Sequence, residues 1–193
     1  MARPVKFSAG DILDAAARVV LAHSGSPTVA EIAREVGAPV GSVYYRFASR
    51  DELLVSLWLL SVRDFQRGFM AACCREPAED AVVAAARHIP VYCREHPAEA
   101  RAMTLYRQTE LVRTAPESLR DEVATVNDQV NALSLELTRR RYGVADERRT
   151  TLIATATRQC PYGLVRPHLG GPIPDWIDDA TAACARAITA LGD

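Results

Sequence analysis

The sequence has no apolar run approaching the roughly 20 residues that a membrane-crossing helix needs. Its longest, LLVSLWLLSV at 53–62, is interrupted by Ser56 and Ser61 and flanked by charge, so it reads as a core helix and no membrane partner is expected. No CxxC pair is present, and no Cys/His group has zinc-finger spacing, so neither a metal nor a cofactor is expected. The five cysteines are an odd number, and with no secretion signal they fit a reducing, cytoplasmic setting as small apolar side chains. Cys73 and Cys74 are adjacent, an awkward geometry for a bridge. Also missing are strand-like alternation, solenoid-length repeats and low-complexity tracts. There is no GxSxG, HExxH, P-loop or dinucleotide-binding glycine pattern, and the neighbouring acids Asp51–Glu52 and Asp178–Asp179 diverge on their helices. An enzyme is not expected.

What the chain does have is helical punctuation. Ser8 precedes Asp11, Thr28 precedes Glu31 and Ser49 precedes Glu52, each three residues apart, the spacing of a capping box. Behind the first cap, Ile12, Ala16, Val19 and Val20 recur at helical spacing, and Gly25 is placed to end the helix. Behind the second, Val29, Ile32, Ala33 and Val36 form a stripe that Gly37 stops. A third helix is predicted from near Pro39 to before Ala48, and a fourth carries Leu53, Leu54, Leu57, Trp58, Phe65 and Phe69. Further helices are predicted over 78–94, 97–112, 117–141, 146–168 with a break near Pro161, and 174–191, with a kink at Pro90. The fold class is all-α.

Two short helices joined by a tight glycine-containing turn suggest a helix-turn-helix. Winding residues 40–47 at about 100° per residue groups Val40, Val43, Tyr44 and Phe47 as a core stripe. Gly41, Ser42, Tyr45 and Arg46 take the other side, a small, polar, aromatic and cationic set suited to base edges and phosphates. Tyr44 is therefore expected on the core rim and Tyr45 outward. Thr28 and Ser49 sit at helix N-termini that favour phosphate, Arg50 is a cation in a first helical turn, and Arg3 and Lys6 form a basic arm. Residues 1–50 hold six Lys/Arg against four Asp/Glu, although the whole chain carries a net charge of −1.

From Ser8 to Leu54, the elements IL-x-AA, TVAEIAREVG, GSVYYRF and SRDELL resemble the DNA-binding domain of the TetR family of transcriptional regulators. The resemblance implies a helix-turn-helix domain at 1–50 and a helical ligand-binding and dimerisation domain at 51–193. It implies a homodimeric, ligand-responsive repressor on a palindromic double-stranded DNA operator, released by a small-molecule effector of unknown identity. Carried over by position, Thr28, Tyr44 and Arg50 would hold phosphates, and Val40, Gly41, Ser42, Tyr45 and Arg46 would lie at the bases. Val40 stands where the family often has lysine, and Arg50 where it usually has lysine. The competing expectation is a small-molecule-binding or adaptor protein whose N-terminal domain has lost DNA binding.

In the longer second part, Trp58, Phe65, His88, Tyr92, Met103, Tyr106 and Arg107 combine apolar neighbours with polar tips and are the candidate effector contacts, although the same spacing also suits core filling. The last two helical segments alternate small and apolar residues. Leu152, Ile153, Trp176, Ile177, Ala180, Ala183, Cys184, Ala187 and Ile188 are the candidate dimer contacts, the resemblance implying a four-helix bundle there.

Overall fold

Two helix starts carry reciprocal hydrogen bonds at the spacing read from the sequence, and a third carries one half of the pair. In the computed structural model, which describes residues 7–22 and 26–193, α1 runs Ala9–Ala22. Its cap has the Asp11 amide donating to Ser8 Oγ at 3.1 Å and the Ser8 amide donating to Asp11 Oδ2 at 2.7 Å. Helix α2, Val29–Val36, starts on the full Thr28–Glu31 box and ends at Gly37, whose φ of 71° needs a residue without a Cβ. Helix α3, Val40–Tyr44, is only 5 residues long. Helix α4, Arg50–Cys73, begins with the Glu52 amide on Ser49 Oγ at 3.0 Å, while the Glu52 carboxylate reaches one residue further back, to the Ala48 amide at 2.6 Å. Gly25 lies outside the described residues.

The chain continues through α5 (Ala78–Glu95), α6 (Pro97–Ala102), α7 (Gln108–Thr114), α8 (Arg120–Thr125), α9 (Asp128–Tyr142), α10 (Glu147–Ala154), α11 (Cys160–Val165) and α12 (Trp176–Ala190). No strand occurs among the described residues, so the fold is all-α as expected. No helix is long and apolar enough to cross a membrane among them.

Two predicted helices are interrupted, and both interruptions are tertiary. The span 97–112 breaks after Ala102, where the Trp58 indole N–H donates to the Met103 carbonyl at 3.2 Å, occupying an acceptor that a continuing helix would use. The span 117–141 breaks between α8 and α9. There the Gln108 amide donates to the carbonyls of Val123 and Ala124, at 2.9 and 3.0 Å. Pro161 ends nothing outright. It lacks an N–H and would crowd the carbonyl of Thr157, and the helix widens into a π turn over Thr155–Gln159 before α11. Pro90 lies buried inside α5, which continues through it.

Two compact units result: Met1–Val62 with Ala98–Val126, and Arg63–Pro97 with Asn127–Asp193. The first is therefore larger than the expected 1–50 segment, because Ala102 is buried among Ile12, Ile32, Val43, Phe47, Leu53 and Leu57. A second apolar group in that unit joins Val55, Trp58 and Leu59 to Leu111 and Val123. In the other unit, Phe69, Val82, Leu137 and Ile153 pack with a run of small residues, Ala81, Ala85, Ala156 and Ala185. Ion pairs Arg87–Asp179 and Arg94–Asp178, at 2.6 and 2.8 Å, tie α5 to α12.

Gly68 sits directly against the His88 ring, which occupies the space a Cβ would need. That ring is also held by Phe65, Phe69 and Tyr92 and by a hydrogen bond to the Phe65 carbonyl at 2.9 Å. Gly68→Ala is expected to cost about 1–3 kcal/mol, an overpacking penalty. Denaturant melts of Gly68→Ala, His88→Ala and the double variant check this: the double variant should lose less than the sum of the singles.

Candidate nucleic-acid interface

Helix α3 is fixed by two side chains. Val43 and Phe47 are buried in the core of the first unit, a narrower stripe than the four residues expected. Val40 and Tyr44 are 42% and 50% exposed and leave that stripe, because a helix this short ends before its flanks can be covered. Tyr45 is 82% exposed, so both tyrosines face solvent, Tyr45 more fully than Tyr44, and the expected packing of Tyr44 on the core rim is not seen. Gly41 and Arg46 are exposed beside it and Ser42 is half-buried. The Arg46 guanidinium lies 5.9 Å from the centre of the Tyr45 ring and donates to the Phe7 carbonyl at 3.3 Å.

The residues expected at phosphates are more occupied than the sequence suggests. The Thr28 hydroxyl donates to Glu31 Oε2 at 2.8 Å and accepts from the Glu31 amide at 3.2 Å. Arg50 Nε donates to the Pro27 carbonyl at 2.7 Å, and its outer nitrogens contact Ser26 Oγ and Asp51. The cation in the first turn of α4 thus has internal partners that hold the segment preceding α2. Nothing in the sequence marks Pro27 and Ser26 as its acceptors, 23 and 24 residues away. Arg3 and Lys6 lie outside the described residues.

Residues 12–57 match the model of the bacterial regulatory proteins of the tetR family. That segment of the chain is similar to the tetR-family DNA-binding module. A fold shared with solved TetR-family regulators extends over nearly all of the chain. A TetR-family regulator, PfmR from Thermus thermophilus, is 15% identical with a TM-score of 0.73, covering 93% of this chain and 97% of that one. A transcriptional regulator from a Rhodococcus species is 19% identical with a TM-score of 0.74, over 97% and 98% of the two chains. A regulator described from Pseudomonas aeruginosa is 16% identical with a TM-score of 0.71, over 98% and 94%. No curated protein sequence matches the chain. The fold is the one seen in these solved transcriptional regulators.

The candidate effector contacts fall into two groups. Trp58, Met103 and Tyr106 pack together in the first unit, where an open hollow of about 590 Å³ is lined by Tyr106, Arg107, Glu110 and Arg113. Phe65, His88 and Tyr92 form an aromatic cluster in the second, and the Tyr92 hydroxyl donates to Asp64 Oδ2 at 2.8 Å. Among the candidate dimer contacts, Ile153 and Ile177 are 0% exposed and belong to the interior of their own unit, so neither can meet a partner. Trp176, Ala183 and Ala187 are exposed, while Leu152, Ala180, Cys184 and Ile188 are half-buried. Cys73 and Cys93 are buried thiols whose pKa values burial raises to about 12 and about 11, whereas Cys74 is exposed.

Arg50→Ala is expected to destabilise by about 1–2 kcal/mol through loss of its hydrogen bonds to the segment before α2. An unchanged melt combined with a shallower salt dependence of DNA binding would instead assign the guanidinium to a phosphate. Burial lowers the His88 pKa, partly opposed by the bond to Phe65. With the folded value below the unfolded value of about 6.5, its stabilising contribution is complete above that pH and is lost as pH falls through the folded value. Melting temperature should therefore drop on acidification below about pH 6.5, and less steeply in His88→Gln.

Proposed function

We propose that the chain is a ligand-responsive repressor: a cytoplasmic homodimer that binds a palindromic DNA operator and is released by a small-molecule effector. The observation carrying this reading is the exposed set Gly41, Tyr45 and Arg46 on a TetR-family helix-turn-helix, anchored from behind by Val43 and Phe47. In this reading residues 1–50 bind DNA, with Val40, Gly41, Ser42, Tyr45 and Arg46 at the bases and Thr28, Tyr44 and Arg50 at phosphates. Residues 51–193 bind the effector and dimerise, the exposed Trp176, Ala183 and Ala187 meeting their two-fold copies. Effector and operator favour different states, so each weakens the other by the same factor.

One observation favours a second reading, a small-molecule-binding or adaptor protein whose N-terminal domain no longer binds DNA. Arg50 is held internally, and the Glu31 carboxylate stands at the N-terminus of α2 where a phosphate is expected. Fluorescence anisotropy on DNA flanking the protein's own gene separates the two. A DNA-binding regulator loses affinity steeply with salt, and the second reading predicts no specific binding at any salt.

The tyrosines supply the finer test. Tyr45→Ala should leave the melting temperature almost unchanged and shift sequence preference, by about 1–3 kcal/mol at the contacted pair. Tyr44→Phe should weaken all sequences about equally, by about 1 kcal/mol. Binding-site selection on both variants decides, and an unfolded Tyr45→Ala with an unaltered sequence profile would reverse the two roles.

A further inference from the structure

In the second unit, burial and pairing of arginine go together with one exception among the described residues. Its half-buried arginines are Arg94, Arg140, Arg141, Arg149 and Arg158. Arg94 pairs with Asp178 at 2.8 Å, Arg140 with Glu76 at 3.0 Å, Arg141 with Asp193 at 2.8 Å and Arg149 with Asp146 at 2.6 Å. Each carboxylate offsets the cost of taking a cation out of water. Arg158 has no carboxylate among the described residues. Its one hydrogen bond runs from Nη1 to the Asn131 side-chain oxygen, at a long 3.4 Å.

Burial works against the Arg158 charge, and the group that interacts with it electrostatically is Cys73, whose buried thiol keeps its proton. A guanidinium does not shed its proton in a protein. The position therefore holds a partly desolvated positive charge that lacks a counter-ion. It also stands on the π turn Thr155–Gln159, a local geometry that gathers at functional sites. Pro161 accounts for the widened turn, but not for arginine at 158. The flanking core is apolar, with Ile153 and Ala156 from the same helical run and Phe69 and Cys73 from α4.

We propose that Arg158 is the charge anchor of the effector site and that the effector is an organic monocarboxylate with an apolar body. The planar guanidinium fork matches a carboxylate, and the Asn131 side chain, already bonded through its oxygen, keeps an amide N–H₂ to offer. One unpaired cation balances one negative charge. A phosphate monoester carries about −1.5 to −2 at neutral pH and would leave charge uncompensated, and a neutral alcohol would leave Arg158 unpaired. This inference rests on reading the chain as effector-responsive and names the class of effector.

Calorimetry and thermal melts with decanoate, decanol and decyl phosphate as probes test it, on the full chain and on Arg158→Gln and Arg158→Met. Wild type should bind decanoate more tightly than either other probe, and Arg158→Gln should weaken decanoate by about 10- to 100-fold. Without ligand, Arg158→Met should melt above wild type, because it removes an uncompensated charge. A lower melting temperature for unliganded Arg158→Met would make Arg158 a structural residue and overturn the proposal. So would equal decanoate binding by wild type and Arg158→Gln, or decanoate binding no better than decanol. DNA release separates the two readings: decanoate bound through Arg158 without any change in DNA affinity would keep the anion site and remove the effector role. Decanoate releasing DNA equally from Arg158→Gln would do the reverse.

Discussion

A helix of five residues has too few internal hydrogen bonds to persist in water by itself. Helix α3 exists because Val43 and Phe47 are buried among Ile12, Ile32, Leu53 and Leu57, and the chemistry of its outer face depends on that burial. With the helix rotated so that those two side chains face inward, Gly41, Tyr45 and Arg46 have no choice but to face outward. The caps on α1, α2 and α4 serve the same end. They set where each neighbouring helix begins, and so fix the surface against which Val43 and Phe47 pack.

Because Ala102 belongs to that same buried group, the segment 98–126 joins the helix-turn-helix in one unit. The Trp58 indole on the Met103 carbonyl and the Ser118 hydroxyl on Glu52 Oε1, at 3.2 and 3.1 Å, add polar ties to the apolar ones. Glu52 thus caps α4 with one carboxylate oxygen and receives Ser118 with the other. The second unit is organised differently. Small residues bring its helices close, and arginine–carboxylate pairs fix them at their edges, which makes an unpaired arginine at 158 conspicuous by comparison.

Residues near one another in the chain were enough to establish the all-α class, the starts of α1, α2 and α4, and the family of the first domain. Each of these depends on a short-range pattern: a hydroxyl three residues before a carboxylate, a glycine where φ turns positive, and a stripe at helical spacing. The different exposures of Tyr44 and Tyr45 were legible for the same reason, since helical geometry alone separates neighbours. Long-range packing settled whatever depends on partners distant in sequence. Gln108 and Trp58 take carbonyls that end two predicted helices, Arg50 finds Pro27, and Ile153 and Ile177 turn inward from a stripe that looked available to a second copy. Periodicity shows that a helix has an apolar face, but not which surface covers it. A lone arginine in sequence likewise looks the same whether an acid, a carbonyl or nothing awaits it, and only the folded chain distinguishes Arg158 from Arg149.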